Sequence, residues 1–181
     1  YLSVSPKFYG SGCRALADAG LLKDPLRSRV VIEKPFGRDY GSAQALNRVV
    51  KSCGQENQVF TIDHYLGKNA IQDIMVWRFS NRMFEPIWNS AHIESVQITM
   101  SESFDVADRG SFYDKVGALK DVVQNHVMQI IGLLSMDPPS KATPAAIHAQ
   151  QLHAFQSMRP IEPSDYVRGQ YTGYQDVEGV E

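Results

Sequence analysis

Apolar and polar positions follow two different periods along the first third of the chain. Residues 29–33, Arg29-Val30-Val31-Ile32-Glu33, and residues 59–62, Val59-Phe60-Thr61-Ile62, are short β-branched or aromatic runs that predict strands. Between them Ala43, Leu46, Val49 and Val50 recur at helical spacing over residues 40–51, and residues 14–22 predict an earlier helix. Leu2-Ser3-Val4 reads as the end of a strand before that helix. Strand, helix, strand, helix, strand predicts a parallel sheet with crossover helices. A half-sheet that opens inside its first strand leaves an edge unpaired, so preceding strands are expected.

After residue 63 the pattern changes. Leu66, Ala70, Ile71, Ile74, Met75 and Phe79 predict a helix over residues 65–79, and the alternation of Ile93, Val96, Ile98 and Met100 predicts a half-buried strand over residues 93–101. Residues 118–136 form the most apolar helical stretch. It is broken by Pro138-Pro139-Ser140-Lys141-Ala142-Thr143-Pro144, where Thr143 before Pro144 predicts the start of a helix over residues 145–157. Residues 166–171 read as extended, and the Gly-punctuated stretch from Gly173 onward is polar. No internal repeat or low-complexity tract interrupts the reading.

Composition narrows the function classes. With 43% apolar residues in a chain of 181, a packed core is within reach, as one domain or two small ones. A net charge of −2 with scattered Lys and Arg gives no nucleic-acid footprint, so an anionic ligand has to be held by local groups. No run approaches a membrane span, and Tyr1-Leu2-Ser3-Val4-Ser5-Pro6 has neither a basic lead nor a signal-length apolar core, which predicts a cytoplasmic protein. Cys13 and Cys53 lack metal-ligand spacing and suit a reducing compartment, and no metal site is expected.

Three stretches carry candidate chemistry. In the first, the run over residues 59–62 ends in Asp63, His64, Tyr65 and Lys68. If a helix begins there, the last three reach one spot near its N-terminus, where backbone N–H groups and the dipole attract a phosphate. The alternative is that Asp63 caps the helix and the others are solvated surface. In the second, Glu33-Lys34-Pro35-Phe36-Gly37 lies at the carboxyl end of a strand, where open α/β sheets place ligands. A proline there makes an extended or cis geometry, which aims Lys34 out of the strand. In the third, Lys120 to His126 opens an apolar helix in which Asp121, Asn125 and Gln129 make a polar stripe, and buried polar groups are costly unless paired. His126 is a candidate proton acceptor there, or a hydrogen-bonded structural histidine.

Gly10-Ser11-Gly12-Cys13-Arg14-Ala15 matches a dinucleotide fingerprint, with Glu33 ending the next strand. Pro6-Lys7-Phe8-Tyr9 separates it from the preceding strand, however, and the fingerprint needs a strand that runs almost directly into its turn. Pyrophosphate binding at this stretch is therefore not expected.

Residues 62–68, Ile-Asp-His-Tyr-Leu-Gly-Lys, taken with Ile32-Glu33-Lys34-Pro35-Phe36-Gly37 and Lys120-Asp121-Val122-Val123-Gln124-Asn125-His126, resemble the glucose-6-phosphate dehydrogenase family in order and spacing. Similarity continues through residues 76–89, 109–121 and 167–174. The family's chain is considerably longer, and this sequence resembles its middle. The resemblance implies α/β and α+β architecture. Residues 1–63 would be the C-terminal part of a Rossmann-like parallel-sheet coenzyme domain, and residues 64–181 the first part of a helix-rich α+β substrate and dimerisation domain. It implies oxidation of C1 of glucose 6-phosphate with NADP as acceptor, NAD being the alternative, in a homodimer or homotetramer.

By the same resemblance His126 is the base and Asp63 orients it, while His64, Tyr65 and Lys68 bind the 6-phosphate. Glu102 and Asp121 bind sugar hydroxyls, and Lys34, with Pro35, touches sugar and nicotinamide across a cis bond. Asn69, Ser103 and Asp108-Arg109-Gly110 depart from the usual pattern without removing a proposed functional group. Two other readings stand beside this one. The first is a noncatalytic sugar-phosphate-binding homologue, against which the Asp63 and His126 pair argues because binding alone needs no general base, or a truncated fragment without the coenzyme site. A nucleotide module built on Gly10 to Ala15 would bind nucleotide without sugar phosphate.

Overall fold

The computed structural model describes residues 1–37 and 39–181 and divides them into two compact units, Tyr1–His64 and Tyr65–Glu181. In the first unit, β1 (Val30–Glu33) and β2 (Val59–Ile62) pair in parallel, with Val30 opposite Val59 and Glu33 opposite Ile62. The connection between them carries α2 (Tyr40–Cys53), as a parallel pair requires. α2 begins at a reciprocal cap: the Ser42 N–H donates to Asp39 Oδ1 at 2.7 Å, and the Asp39 N–H donates to Ser42 Oγ at 3.0 Å. Its apolar face meets α1 (Tyr9–Asp18) and the sheet around a core of Tyr9, Cys13, Leu22, Val30, Ile32 and Val50. Gln58, wholly buried, donates from Nε2 to the Leu22 carbonyl at 3.0 Å and closes the loop beneath.

Two expectations are corrected in this unit. α1 opens at Tyr9 rather than residue 14, because Pro6 starts a 3-10 turn (Pro6–Phe8) that feeds straight into the helix. The stretch expected as a strand at Leu2 to Val4 forms none among the described residues, where the Leu2 N–H donates to the Val31 carbonyl at 2.9 Å.

In the second unit the helix expected over residues 65–79 comes in two pieces. A 3-10 turn, His64–Gly67, follows β2, and Lys68, extended at φ −70° and ψ 133°, separates it from α3 (Asn69–Phe79). The stretch 118–136 is likewise composite. α4 (Gly110–Ala118) kinks at Gly117, where φ is 68°; a π segment (Leu119–Val127) follows and passes into α5 (Met128–Ser135). α6 (Pro144–Gln156) starts where Thr143 Oγ1 accepts the Ala146 N–H, and it packs on α5 at Gly132, beside Phe155. Residues 93–101 form no strand, since none of the described residues offers them a neighbouring strand to bond. The C-terminal stretch lies on α4, where the Tyr174 hydroxyl donates to Asp114 Oδ1 at 3.2 Å. No helix among the described residues is long and apolar enough to cross a membrane.

Candidate active site

In the first unit the register brings two chemical residues to one edge. Glu33 is opposite Ile62 at the ends of the parallel strands, so Lys34 and Asp63 leave the sheet side by side at its carboxyl edge. Both are half-buried, and the Lys34–Pro35 bond is cis, as the resemblance implies. Gly37 turns the chain toward α2 at φ 121°, where a Cβ would stand 2.5 Å from the Ala43 nitrogen, so glycine alone fits.

Gly10 and Gly12 lie inside α1, where added Cβ atoms would meet Val49 and Leu2 side chains, so the Gly-x-Gly run serves helix packing.

In the second unit His126 sits on the π segment at 4% exposure. Tyr65 stacks on its imidazole, with ring centroids 5.0 Å apart and planes 25° apart. The Lys68 ammonium lies 4.3 Å from the centroid of the same Tyr65 ring. Lys68, Tyr65 and His126 are therefore joined through one phenol ring. The expected helix N-terminus does not hold them: His64 and Tyr65 lie in the 3-10 turn and Lys68 is the residue before α3. Any phosphate there is left to side chains and one short turn, not to an α-helix dipole acting on all three.

Asp121 and Asn125 of the expected polar stripe lie in the π segment, whose backbone bonds run between residues five apart, and Gln129 lies in α5. The Asp121 carboxylate is answered by Arg109, whose Nη2 lies 3.5 Å from Oδ2. Tyr113 feels both groups: burial and then the Asp121 charge raise its phenol pKa, and Arg109 pulls the other way. Glu102 is exposed on the extended segment beyond Met100. The sequence reading missed Arg109, which it treated only as part of a loop variant. The available signal was Asp121 itself, an acid in an apolar helix that needs a cation.

Residues 75–181 match the family profile described as glucose-6-phosphate dehydrogenase, C-terminal domain, and residues 1–73 match the one described as glucose-6-phosphate dehydrogenase, NAD binding domain. The chain belongs to the glucose-6-phosphate dehydrogenase family. Among its relatives, glucose-6-phosphate 1-dehydrogenase of Bacillus subtilis is 45% identical over 94% of this chain and 36% of its own length. Glucose-6-phosphate 1-dehydrogenase 2 of Mycobacterium tuberculosis is 44% identical over 99% of this chain and likewise 36% of its own. The crystal structure of the Mycobacterium avium glucose-6-phosphate 1-dehydrogenase superposes with a TM-score of 0.90 at 40% identity, covering 99% of this chain and 40% of that one. A glucose-6-phosphate dehydrogenase in complex with its substrate glucose-6-phosphate superposes at 0.92 and 33% identity, over 100% of this chain and 39% of that one. This chain thus spans little more than a third of the family members it resembles.

Proposed function

We propose that the polypeptide carrying this chain oxidises C1 of glucose 6-phosphate to the 6-phosphogluconolactone, the entry step of the pentose phosphate pathway. NADP is the acceptor, with NAD as the alternative. One observation carries the reading: the motifs at residues 32–37, 62–68 and 120–126 stand in family order on a backbone that overlays, along its whole length, a family member bound to that sugar phosphate. In this reading residues 1–63 are the C-terminal part of a Rossmann-like coenzyme domain, and residues 64–181 are the first part of an α+β substrate and dimerisation domain. The assembly is a homodimer or homotetramer working in the cytoplasm.

The work of each residue follows from its chemistry. His126 takes the proton from the C1 hydroxyl as the C1 carbonyl forms, a task for a positioned imidazole acting as general base. Asp63 orients the imidazole and stabilises its cationic form. Lys68, His64 and Tyr65 hold the 6-phosphate, with Lys68 supplying the charge. Glu102 and Asp121 accept hydrogen bonds from sugar hydroxyls. Lys34 holds the C1 end, and with Pro35 it would meet the nicotinamide, which when bound receives the hydride that leaves C1. Fixing the sugar at both ends keeps C1 in one place, and positioning of that kind lowers a barrier by several kcal/mol.

The test is His126→Asn in the full polypeptide, assayed for glucose 6-phosphate-dependent reduction of NADP and for sugar-phosphate affinity by calorimetry. Turnover should fall by about a thousandfold or more while affinity stays within about threefold. Turnover retained in His126→Asn overturns the assignment of the base. A wild-type polypeptide that binds the sugar phosphate and reduces neither coenzyme supports the noncatalytic homologue instead.

A further inference from the structure

We propose that Tyr65 is a positioning residue for His126, fixing the plane of the imidazole by ring stacking, in addition to any contact its hydroxyl makes with the substrate. The inference rests on the reading of His126 as the base. His126 lies buried on a π segment, and its imidazole has a flat neighbour in Tyr65, at 5.0 Å between centroids and 25° between planes. Tyr65 belongs to the 3-10 turn His64–Gly67, a separate element from the one that carries the histidine. A ring stacked on the face of an imidazole restricts its rotation about the last side-chain bond, in addition to the orienting role proposed for Asp63.

The stack also has a charge preference. A π face attracts a cation, so the contact is stronger with imidazolium than with imidazole, and a group that favours the product of proton abstraction acts on the rate more than on binding. The same ring carries the Lys68 ammonium at 4.3 Å. Tyr65 therefore touches both the proposed phosphate cation and the proposed base. Replacing it should disturb two kinetic parameters through two separable parts of the side chain, the hydroxyl through KM and the ring through kcat.

Three variants of the full polypeptide separate these parts. Tyr65→Phe keeps the ring and loses the hydroxyl, so KM for glucose 6-phosphate should rise, and its kcat is the reference for the ring-less variants. Tyr65→Leu removes the ring, and kcat at saturating sugar phosphate should fall at least about tenfold below that of Tyr65→Phe. Tyr65→Met, unbranched and more adaptable, carries the same readout if the leucine variant does not fold. The difference between the ring-keeping and ring-less variants should vanish when each is combined with His126→Asn, because the ring acts through the imidazole. Equal kcat in Tyr65→Phe and the ring-less variants overturns the proposal, and so does a difference that persists in the His126→Asn background. Failure of the underlying reading looks different: His126→Asn alone then keeps its turnover, whatever Tyr65 does.

Discussion

Arg78 donates from Nη1 to the carbonyl oxygen of Leu133 at 2.7 Å, tying α3 to the last turn of α5. The guanidinium is 3% exposed and lies over two rings, 4.5 Å from the Phe79 centroid and 5.1 Å from that of Trp88. Burial lowers its pKa, while Glu85 and Asp137 pull it back up. Arg78→Leu keeps the apolar contact but leaves the Leu133 carbonyl and both acids without their cation. It should cost about 2–4 kcal/mol of unfolding free energy, read as a lower denaturation midpoint in urea. Arg78→Lys should recover only part of that loss, since an ammonium lacks the flat face that lies against Phe79 and Trp88.

Gly110 tests how the C-terminal stretch is held. Its backbone is helical, where alanine ordinarily gains up to about 1 kcal/mol over glycine. Here an added Cβ would stand 2.3 Å from the Glu178 carbonyl oxygen and 3.0 Å from Val177 Cγ1. Gly110→Ala should therefore destabilise by about 1–3 kcal/mol. Limited proteolysis should show residues 171–181 released from α4 before the rest of the unit opens.

The Arg109–Asp121 pair predicts opposite shifts in a neighbour. Since Arg109 lowers and Asp121 raises the Tyr113 pKa, Arg109→Ala should move the phenol further up and Asp121→Asn should move it down. Difference ultraviolet titration against a Tyr113→Phe reference reads both. The ion pair is 59% exposed on the arginine side, so Arg109→Ala should change stability by less than about 1 kcal/mol.

Cys13 gives the first unit an alkaline limit. Burial, and then the neighbouring Cys53, raise its pKa above the ordinary thiol value of 9.0. The folded state therefore holds this proton more tightly than the unfolded chain. The stabilisation is complete below pH 9.0 and is lost as pH climbs through the folded-state pKa. The thermal midpoint should decline from that pH upward, and Cys13→Ala, though less stable at neutral pH, should decline less steeply there.

Elements whose signals are local were legible in the sequence. β2 runs over the residues its β-branched and aromatic run marks, and α2 extends the expected range by two residues, to Cys53, behind its cap. What escaped depends on partners or on unusual bonding. Residues 93–101 alternate as a strand should, but alternation alone supplies no hydrogen-bond partner. Gly10 and Gly12, where pyrophosphate binding was not expected, lie in a helix that begins earlier than the sequence marks, and an added Cβ at Gly10 would stand 3.3 Å from Val49 of α2. The polar stripe through Asp121, Asn125 and Gln129 was drawn with α-helical spacing, which periodicity cannot tell from a π turn over so few residues. Tyr65, Lys68 and His126 are candidates from their motifs, and the structure brings the three side chains together. Their meeting on one phenol ring was out of reach, because two of them are separated from the third by some sixty positions of chain.

A π segment can be regarded as an α-helix that has taken in a surplus residue and absorbed it by widening instead of shifting everything beyond it. Leu119–Val127 thus stands in a different relation to length change from the helices around it. Removing one residue between Asp121 and His126 would let the stretch relax into the cheaper α form, while α5 kept its packing. His126 lies beyond the deletion and next to α5, so it would stay with α5 and keep its ring against Tyr65. A chain one residue shorter here would fold at lower cost with its histidine aimed as before, because the widened turn confines the surplus residue to the stretch before the imidazole.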